Sequence, residues 1–273
     1  MIRCIVFDLD GTLFYGFGED IYDLSPEAVK AIGRMKENGI RFAVSTGRQY
    51  SVAREIMKNY VHEFTPSCNM TGSIIFDHDR IVRKNFMGRD EIDRAYEVIK
   101  DLDYGYFECF NEKGVCISEI RDEEFYHSIK DHESKDTLFG FEENIGRFKE
   151  LGKIMLVHRE AEVCRKNLQI IQSRLKGVVQ STISTGRYLE ITRLGCGKEK
   201  IIPYLEEAYG YGNEEIAIVG DSENDMEMLA GVKYSYIMSH AREELKKQCY
   251  KAVENVLEAV EDVLRINKES PQR

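Results

Sequence analysis

Residues 5–13 read I-V-F-D-L-D-G-T-L, and this stretch decides how the rest of the chain is interpreted. An apolar run without polar alternation is typical of a strand that is buried on both faces of a parallel sheet. The run ends in Asp8, Asp10 and Gly11, so we expect both carboxylates at the carboxyl edge, where open α/β sheets bind ligands. Two carboxylates held close together repel unless a cation lies between them or one is protonated. The stretch therefore predicts a metal site, an acid/base pair, or both.

Two other interpretations of the same stretch remain open at this point. A D-x-D-G pattern occurs in calcium-binding loops, and Glu19 stands at the twelfth position counted from Asp8. Such a loop needs a helix before it, however, whereas an apolar strand precedes Asp8. Asp and Gly also form ordinary turns at the ends of strands. The rest of the chain has to separate these alternatives.

The composition argues against several classes of protein. Lys and Arg number 38 against 48 Asp and Glu, and the net charge of −10 comes without a basic cluster, which disfavours nucleic acid and anionic membranes as partners. No apolar run approaches the length of a membrane span, and the amino terminus does not resemble a secretory signal. The seven cysteines are scattered and form no C-x-x-C pair, which favours reduced thiols and a cytoplasmic location.

Strand and helix patterns alternate in both end thirds of the chain. Ser25-Pro26-Glu27 has the composition of a helix start, residues 40–45 form a second buried-type strand, and a helix is predicted over 50–60. Residues 199–209 and 215–219 repeat the helix and strand patterns after the middle third. This order predicts a parallel sheet with crossover helices.

The middle third has a different pattern. Residues 104–110 and 115–120 alternate around Asn111-Glu112-Lys113-Gly114, which predicts an antiparallel hairpin. The charged segment 122–149 is expected to be helix with breaks. We therefore predict an α/β chain in which residues 1–83 and 192–273 form one parallel-sheet domain and residues 84–191 form an inserted α+β domain.

Four polar clusters stand at predicted strand ends or helix starts of the parallel-sheet domain. They are Asp8 with Asp10, Thr46 with Gly47, Lys198, and Asp221 with Asn224 and Asp225. If all four open on one edge, the carboxylates suit Mg²⁺, which takes oxygen ligands and keeps waters for a substrate phosphate. The ammonium, the hydroxyl and the backbone amides would supply donors to a phosphoryl group, and an aspartate can act as a nucleophile.

Each cluster by itself also has an ordinary structural explanation. The S-T-G-R stretch at 45–48 could be a plain turn, and residues 221–225 could be a helix cap or a calcium-type loop. Lys198 could be a solvated lysine at a helix start, although the helix dipole disfavours a cation there and so indicates an anionic partner. The prediction of a metal and phosphoryl site therefore depends on the order of all four clusters along the chain and on their places at strand ends and helix starts.

Together these motifs resemble the haloacid dehalogenase-like (HAD) superfamily of phosphohydrolases, most closely the Cof-type phosphatases of subfamily IIB with the large C2B cap. D-L-D-G-T-L matches motif I, V-S-T-G-R motif II, Gly197-Lys198 motif III, and G-D-S-E-N-D-M-E-M-L motif IV. The resemblance covers nearly the whole chain. It implies a Rossmann-like core, a cap inserted between motifs II and III, Mg²⁺ as cofactor, and hydrolysis of a small phosphorylated metabolite through an aspartyl-phosphate.

The resemblance also implies a role for each matched residue. Asp8 would be the nucleophile and Asp10 the general acid/base. The metal would be held by Asp8, the Asp10 carbonyl and Asp221. The phosphoryl group would be held by Thr46, Gly47, Lys198 and Asn224, with Arg48 and Asp225 in supporting positions.

Three departures from the family pattern leave the substrate open. Met70-Thr71-Gly72-Ser73 stands where the family often has Asn-Gly-Ala, Lys198-Glu199 where it usually has Lys-Gly, and Ser239-His240 where Gly-Asn is common. Sugar phosphates, nucleotides, flavin mononucleotide and pyridoxal phosphate all remain candidates, and the oligomeric state is open. A phosphomutase of the same superfamily, or a non-catalytic protein that binds phosphorylated metabolites, are the alternative functions.

Overall fold

The computed structural model describes residues 1–14, 24–61, 66–130, 138–141, 144–184 and 186–269. The chain forms two compact units. The first contains Met1–Val82 and Gly197–Arg273, and the second contains Arg83–Cys196. None of the helices in the described ranges is long and apolar enough to cross a membrane.

An eight-stranded sheet forms the centre of the first unit. Its strands, numbered along the whole chain, are β1 (Cys4–Phe7), β2 (Arg41–Ser45), β3 (Ser67–Asn69), β4 (Ile74–Asp77), β5 (Arg80–Lys84), β14 (Ile216–Gly220), β15 (Tyr234–Met238) and β16 (Lys251–Val253). Their spatial order is β16-β15-β14-β1-β2-β3-β4-β5. Neighbours are parallel from β16 to β3, and β4 runs antiparallel to β3. The predicted α/β fold with a parallel sheet is confirmed.

The sequence of β1 explains its central place, since side chains of a strand point alternately to opposite faces. Ile5 and Phe7 belong to the apolar cluster on one face of the sheet, whereas Cys4 and Val6 belong to the cluster on the other face. All four side chains are fully buried. A strand covered on both faces carries no polar residue until it reaches the edge of the sheet, which is where Asp8 lies.

Helices cover both faces of this sheet. They are α1 (Pro26–Glu37), α2 (Tyr50–Met57), α6 (Ile201–Tyr209), α7 (Met226–Ala230), α8 (Glu243–Lys246) and α9 (Val256–Glu269). The start of α1 is as predicted, because the Ser25 hydroxyl accepts a hydrogen bond from the Ala28 amide at 3.1 Å and Pro26 opens the helix. The helix predicted over 199–209 is divided, with a 3₁₀ turn at Lys198–Lys200 before α6.

The second unit contains a six-stranded sheet with the order β12-β13-β11-β7-β8-β9. Its strands are β7 (Tyr106–Phe110), β8 (Val115–Ile120), β9 (Leu138–Phe141), β11 (Lys153–Val157), β12 (Val179–Ile183) and β13 (Tyr188–Arg193), and two short strands, β6 (Met87–Gly88) and β10 (Glu150–Leu151), pair with each other. Its helices are α3 (Arg89–Ile99), α4 (Glu123–Lys130) and α5 (Ala161–Arg174). The predicted hairpin is confirmed as β7 and β8.

One expectation for the second unit was incomplete. The segment 122–149 was expected to be helix with breaks, and α4 and a 3₁₀ turn at Ile145–Arg147 do lie in it, but β9 lies between them. This strand pairs in parallel with β8 at the edge of the sheet. A parallel partner that follows a crossover leaves no local alternation in the sequence, so the strand was missed. Residues 131–137 and 142–143 of this segment lie outside the described ranges.

Candidate active site

The carboxyl ends of β1 and β14 bring two of the predicted aspartates together. The two strands are parallel neighbours, with Phe7 opposite Val219. Asp8 follows β1 directly and its amide donates to the Val219 carbonyl at 3.0 Å, while Asp221 follows β14 directly. Residues that are 213 positions apart in the chain thus share one edge of the sheet because of the strand register.

Lys198 lies among the acidic groups of this edge. Its ammonium donates to Asp8 Oδ1 at 2.7 Å, to Asp225 Oδ1 at 2.7 Å and to Asn224 Oδ1 at 3.2 Å. The lysine side chain is only 3% exposed, and those of Asp8 and Asp225 are 3% and 0% exposed. Burial of three charged groups is costly unless they pair with one another, so this contact holds the predicted motifs I, III and IV in one cluster.

The loop after β14 is fixed by its own hydrogen bonds. Asp225 Oδ2 accepts from the backbone amides of Asp221 and Ser222 at 3.0 and 3.1 Å. The Ser222 hydroxyl donates to Asn224 Oδ1 at 2.7 Å. Because both Asp225 oxygens already accept hydrogen bonds, this residue is suited to holding Lys198 and the loop in place, which fits its predicted supporting position.

The acidic groups outnumber the single ammonium, and their protonation equilibria reflect this. Burial raises the pKa of Asp8 well above its usual range, Lys198 opposes that rise, and Asp225, Asp221 and Asp10 add to it. Burial, with Asp225 as the next cause, raises the pKa of Asp221 to about 6. Burial alone would lower the pKa of Lys198, but Asp225 and Asp8 outweigh it and raise that pKa. The cluster therefore favours an additional positive charge.

The geometry of the cluster fits a divalent cation. Asp8, Asp221 and Asp225 each offer a carboxylate oxygen, and these atoms lie within 4.8 Å of one another. Hard oxygen donors with an excess of negative charge suit a divalent cation such as Mg²⁺. The sequence predicts Asp8, Asp10 and Asp221 as metal ligands. The three carboxylates that lie together are those of Asp8, Asp221 and Asp225. Asp10 was expected to contribute its backbone carbonyl, which its side-chain position does not contradict.

The carboxylate of Asp10 instead forms an ion pair with Arg48. The guanidinium donates from Nε to both Asp10 oxygens, at 3.0 and 2.8 Å, and from Nη2 to Oδ1 at 2.5 Å. Such a bidentate contact fixes the orientation of the Asp10 carboxylate and also neutralises its charge. The Arg48 side chain is 29% exposed and that of Asp10 is 42% exposed, so this pair lies nearer to solvent than the Lys198 cluster does.

The turn after β2 supplies the remaining predicted residues. β2 is the other parallel neighbour of β1, so Thr46 and Gly47 reach the same edge of the sheet as Asp8. The Thr46 hydroxyl is buried and accepts from the Arg48 amide at 3.2 Å. The Ser45 hydroxyl donates to the Lys198 carbonyl at 2.8 Å, which ties this turn to the Lys198 segment.

Three residues of this site were not assigned from the sequence. Ser45 is the last residue of the strand predicted over 40–45, and this place at a strand end is the signal by which the sequence could have indicated it. The Thr12 hydroxyl lies 3.5 Å from Asp221 Oδ1, and His240 Nε2 lies 3.6 Å from Asp221 Oδ2. His240 had been noted only as a departure from the family pattern, because the proximity of β14 and β15 cannot be read from spacing along the chain.

Comparison with known proteins gives one family over nearly the whole chain. Residues 5–264 match the family model described as haloacid dehalogenase-like hydrolase. A curated relative, the Bacillus subtilis (strain 168) 5-amino-6-(5-phospho-D-ribitylamino)uracil phosphatase YitU, is 26% identical over 239 residues, which are 82% of this chain and 82% of that protein.

Solved structures give the same fold. A HAD/COF-like hydrolase from Plasmodium vivax matches with a TM-score of 0.82 and 21% identity, over 97% of this chain and 96% of that chain. The HAD subclass IIB sugar phosphatase BT4131 matches with a TM-score of 0.74 and 17% identity, over 97% of this chain and 99% of that chain. At these identities the likeness establishes the fold.

Proposed function

This chain belongs to the haloacid dehalogenase-like hydrolase family, and on that premise we propose that it is a Mg²⁺-dependent phosphatase acting through a phosphorylated Asp8. The proposed substrate is a small phosphorylated metabolite. The resemblance drawn from the four motifs is confirmed at the level of the family. The metal, the covalent intermediate and the residue roles are the parts that we propose.

The contact of Lys198 with Asp8 and Asp225 is the observation that carries the proposal. A carboxylate that attacks a phosphoryl group must be ionised and correctly oriented. Burial and acidic neighbours raise the pKa of Asp8 and so favour its neutral form. The Lys198 ammonium, 2.7 Å from Asp8 Oδ1, favours the ionised form and fixes the direction of the carboxylate. The same ammonium can neutralise charge on a phosphoryl group that approaches Asp8.

The metal would be held by the carboxylates of Asp8 and Asp221, with the Asp10 carbonyl as a further ligand and Asp225 in support. When bound, Mg²⁺ would neutralise the charge of the phosphoryl oxygens. The approach of Asp8, Asp221 and Asp225 within 4.8 Å, without a compensating number of cations, supports this assignment.

Asp8 then performs the first substitution. One of its oxygens forms a bond to phosphorus while the bond between phosphorus and the leaving oxygen breaks. Asp10 supplies a proton to that oxygen, then accepts a proton from the water that attacks the phosphoenzyme, which releases inorganic phosphate and restores Asp8. Because Arg48 holds both oxygens of an ionised Asp10, this ion pair has to open and Asp10 has to take up a proton from solvent before the first transfer.

We further propose that the inserted segment 84–191 is a cap that carries substrate specificity. The change from the strand–helix order of the first unit to the hairpins of the second supports a separate task for it. Exchange of this segment with that of a related phosphatase tests the proposal. The substrate preference should follow the exchanged segment, and a preference that stays with the remainder of the chain would contradict it.

Release of inorganic phosphate from a panel of phosphorylated metabolites tests the proposed activity. The panel should include 5-amino-6-(5-phospho-D-ribitylamino)uracil, because a relative is named for it, together with sugar phosphates, nucleotides, flavin mononucleotide and pyridoxal phosphate. Activity should require Mg²⁺ and be lost with a chelator. Isomerised sugar phosphate in place of free phosphate would indicate a mutase, and binding without turnover would indicate a regulatory protein.

A further inference from the structure

The turn between β3 and β4 has an unusual backbone. Met70, Thr71 and Gly72 have φ angles of 49°, 53° and 86°, so three consecutive residues are left-handed. Glycine adopts this conformation freely, but for a β-branched residue such as Thr71 it is an outlier. A strained conformation persists only where its surroundings enforce it, and such conformations cluster at functional sites.

The contacts of this turn show what enforces it. The Met70 amide donates to the Arg48 carbonyl at 3.0 Å, and the Thr71 amide donates to the Thr46 carbonyl at 3.2 Å. These two carbonyls flank Gly47, whose amide is a proposed phosphoryl donor. The turn therefore fixes the orientation of the Thr46–Gly47 peptide unit, which contains the Gly47 amide, and of the Arg48–Gln49 peptide unit that follows it.

The same turn also supports the Lys198 segment. A Cβ atom added to Gly72 would lie 2.2 Å from both the amide nitrogen and the carbonyl oxygen of Gly197. The two backbones are thus packed so closely that only glycine fits at position 72. Gly197 immediately precedes Lys198, whose ammonium contacts Asp8.

We propose that the turn Met70–Gly72 sets the distance between the Gly47 amide and the Lys198 ammonium, with Gly72 as the positioning residue. This inference rests on the proposed function, because both groups are taken to bind one phosphoryl group. A shift of about 1 Å in such a group can weaken catalysis by about 100-fold.

The test compares Gly72→Ala with Gly39→Ala. Gly39 is also left-handed, with φ of 65°, but a Cβ there meets nothing within 4 Å. Both substitutions strain the backbone, whereas only Gly72→Ala displaces Gly197. We expect Gly72→Ala to weaken binding of inorganic phosphate in the presence of Mg²⁺ by about 10- to 100-fold, with Gly39→Ala at the wild-type value, both measured by calorimetry.

Equal phosphate affinity in Gly72→Ala and wild type would overturn the inference, as would an equal loss in Gly39→Ala. Phosphate release by the wild type separates this failure from a failure of the proposed function. Thr71→Asn should raise the unfolding temperature by about 2–4 °C, because asparagine tolerates the left-handed region. This background offsets the lost stability if Gly72→Ala alone does not fold.

A measurement on the unaltered protein completes the test. Phosphate binding should slow hydrogen exchange at the Met70 and Thr71 amides, which hold the two carbonyls around Gly47. The Gly39 amide, which donates to the Lys36 carbonyl in a turn outside the site, should be unaffected. Exchange at Met70 and Thr71 that does not respond to phosphate would contradict the positioning role.

Discussion

Among the described residues, each unit contains a lysine that is buried against carboxylates, and the two lysines differ in their place in the sheet. In the second unit, Lys153 on β11 donates to Glu190 on β13 at 3.1 Å, and the side chains are 3% and 4% exposed. In the first unit, Lys198 is equally buried but faces both Asp8 and Asp225. The Lys153 ammonium therefore lies within the sheet of the second unit, whereas the Lys198 ammonium lies at the carboxyl edge of the sheet of the first.

The difference separates a contact that stabilises a fold from one that is suited to chemistry. Lys153 and Glu190 lie on neighbouring strands in a diagonal register, and the lysine also lies 4.5 Å from the centre of the Phe110 ring. Both residues lie within strands of the sheet, where Glu108 on β7 is buried as well. The Lys198 cluster keeps an excess of negative charge, which a metal would offset.

The largest effect is expected when the proposed nucleophile, Asp8, is removed from the Lys198 cluster. Asp8→Asn should lower the rate of phosphate release by roughly 10⁴-fold or more, because the amide cannot attack phosphorus. No covalent phosphoenzyme should form. The variant should still fold, since the substitution removes one of several crowded negative charges. Rapid-quench phosphoprotein assays provide the measurement. A phosphoenzyme that survives in Asp8→Asn would move the nucleophile to another residue.

The second prediction concerns Asp10, which lies outside the Lys198 contact. Asp10→Asn should retain binding of Mg²⁺ and phosphate but slow turnover by roughly 10²–10⁴-fold, as expected when a general acid/base is lost. The loss should be smaller with a nitrophenyl phosphate, whose leaving group needs no proton, if phosphoenzyme formation limits the rate. Where rapid-quench kinetics show that phosphoenzyme formation limits the rate with both classes of substrate, an equal loss would exclude Asp10 as the proton donor.

Sequence reasoning was effective where a signal was local and failed where side chains meet across the sheet. The run at residues 5–7 predicted β1, and the order of parallel strands predicted that Asp8 and Asp221 would meet. The contact of Arg48 with Asp10 joins residues 38 positions apart and depends on side-chain direction, which the motif does not encode.

The left-handed turn at Met70–Gly72 shows a different limit. Thr71 has no intrinsic preference for its observed φ of 53°. Tertiary hydrogen bonds to Thr46 and Arg48 impose that conformation. The parallel edge strand β9 was missed for a similar reason, because its pairing with β8 is a long-range property.

The third prediction breaks the buried ion pair of Lys153 and Glu190 in the second unit. Lys153→Met should lower the free energy of unfolding by about 3–5 kcal/mol, because it leaves Glu190 buried without its ammonium partner. The double variant Lys153→Met/Glu190→Leu should recover most of this loss, since it removes both charges. Urea unfolding at constant pH measures both values. A single variant as stable as wild type would show that the pair does not stabilise the fold.

The fourth prediction concerns how Asp221, beside the Lys198 cluster, makes the stability of the folded protein depend on pH. The pKa of Asp221 is raised from 3.8 to about 6, so the metal-free folded protein binds this proton more tightly than the unfolded chain. This contribution to stability is therefore present at low pH and is lost as pH rises through about 6. Above pH 6, Asp221→Asn should stabilise the metal-free protein by about 1–3 kcal/mol while abolishing Mg²⁺-dependent activity.

Urea unfolding of wild type and Asp221→Asn between pH 4 and 7, with a chelator present, measures this difference. Adding Mg²⁺ should stabilise the wild type and have little effect on the variant, since only a bound ligand shifts the folding equilibrium. A variant that is less stable than wild type at neutral pH would show that Asp221 is already compensated without a metal.

The smallest effect concerns a neutral group in the second unit, and its pH dependence has the opposite sign. His158 is 1% exposed. Its Nδ1 lies 3.0 Å from the Arg187 carbonyl, which assigns the proton to Nδ1, and Nε2 accepts from Asn167 Nδ2 at 2.9 Å. Burial lowers the pKa of His158 from 6.5, so its contribution to stability is present above that pH and is lost as pH falls.

Asn167→Asp tests this assignment, because a carboxylate beside Nε2 would accept a hydrogen bond from a protonated Nε2 and so favour the charged imidazole. At neutral pH the variant should lose about 1–2 kcal/mol, because the substitution removes the Asn167 Nδ2 donor from both His158 Nε2 and the Asp103 carbonyl. Below pH 6.5 its stability should fall less steeply than that of wild type, as measured by urea unfolding across pH 5–7. If the free energy of unfolding of the variant depends on pH as steeply as that of wild type, the acid-sensitive group is not His158. The contrast between Asp221, which destabilises the first unit as pH rises, and His158, which destabilises the second as pH falls, would then be lost.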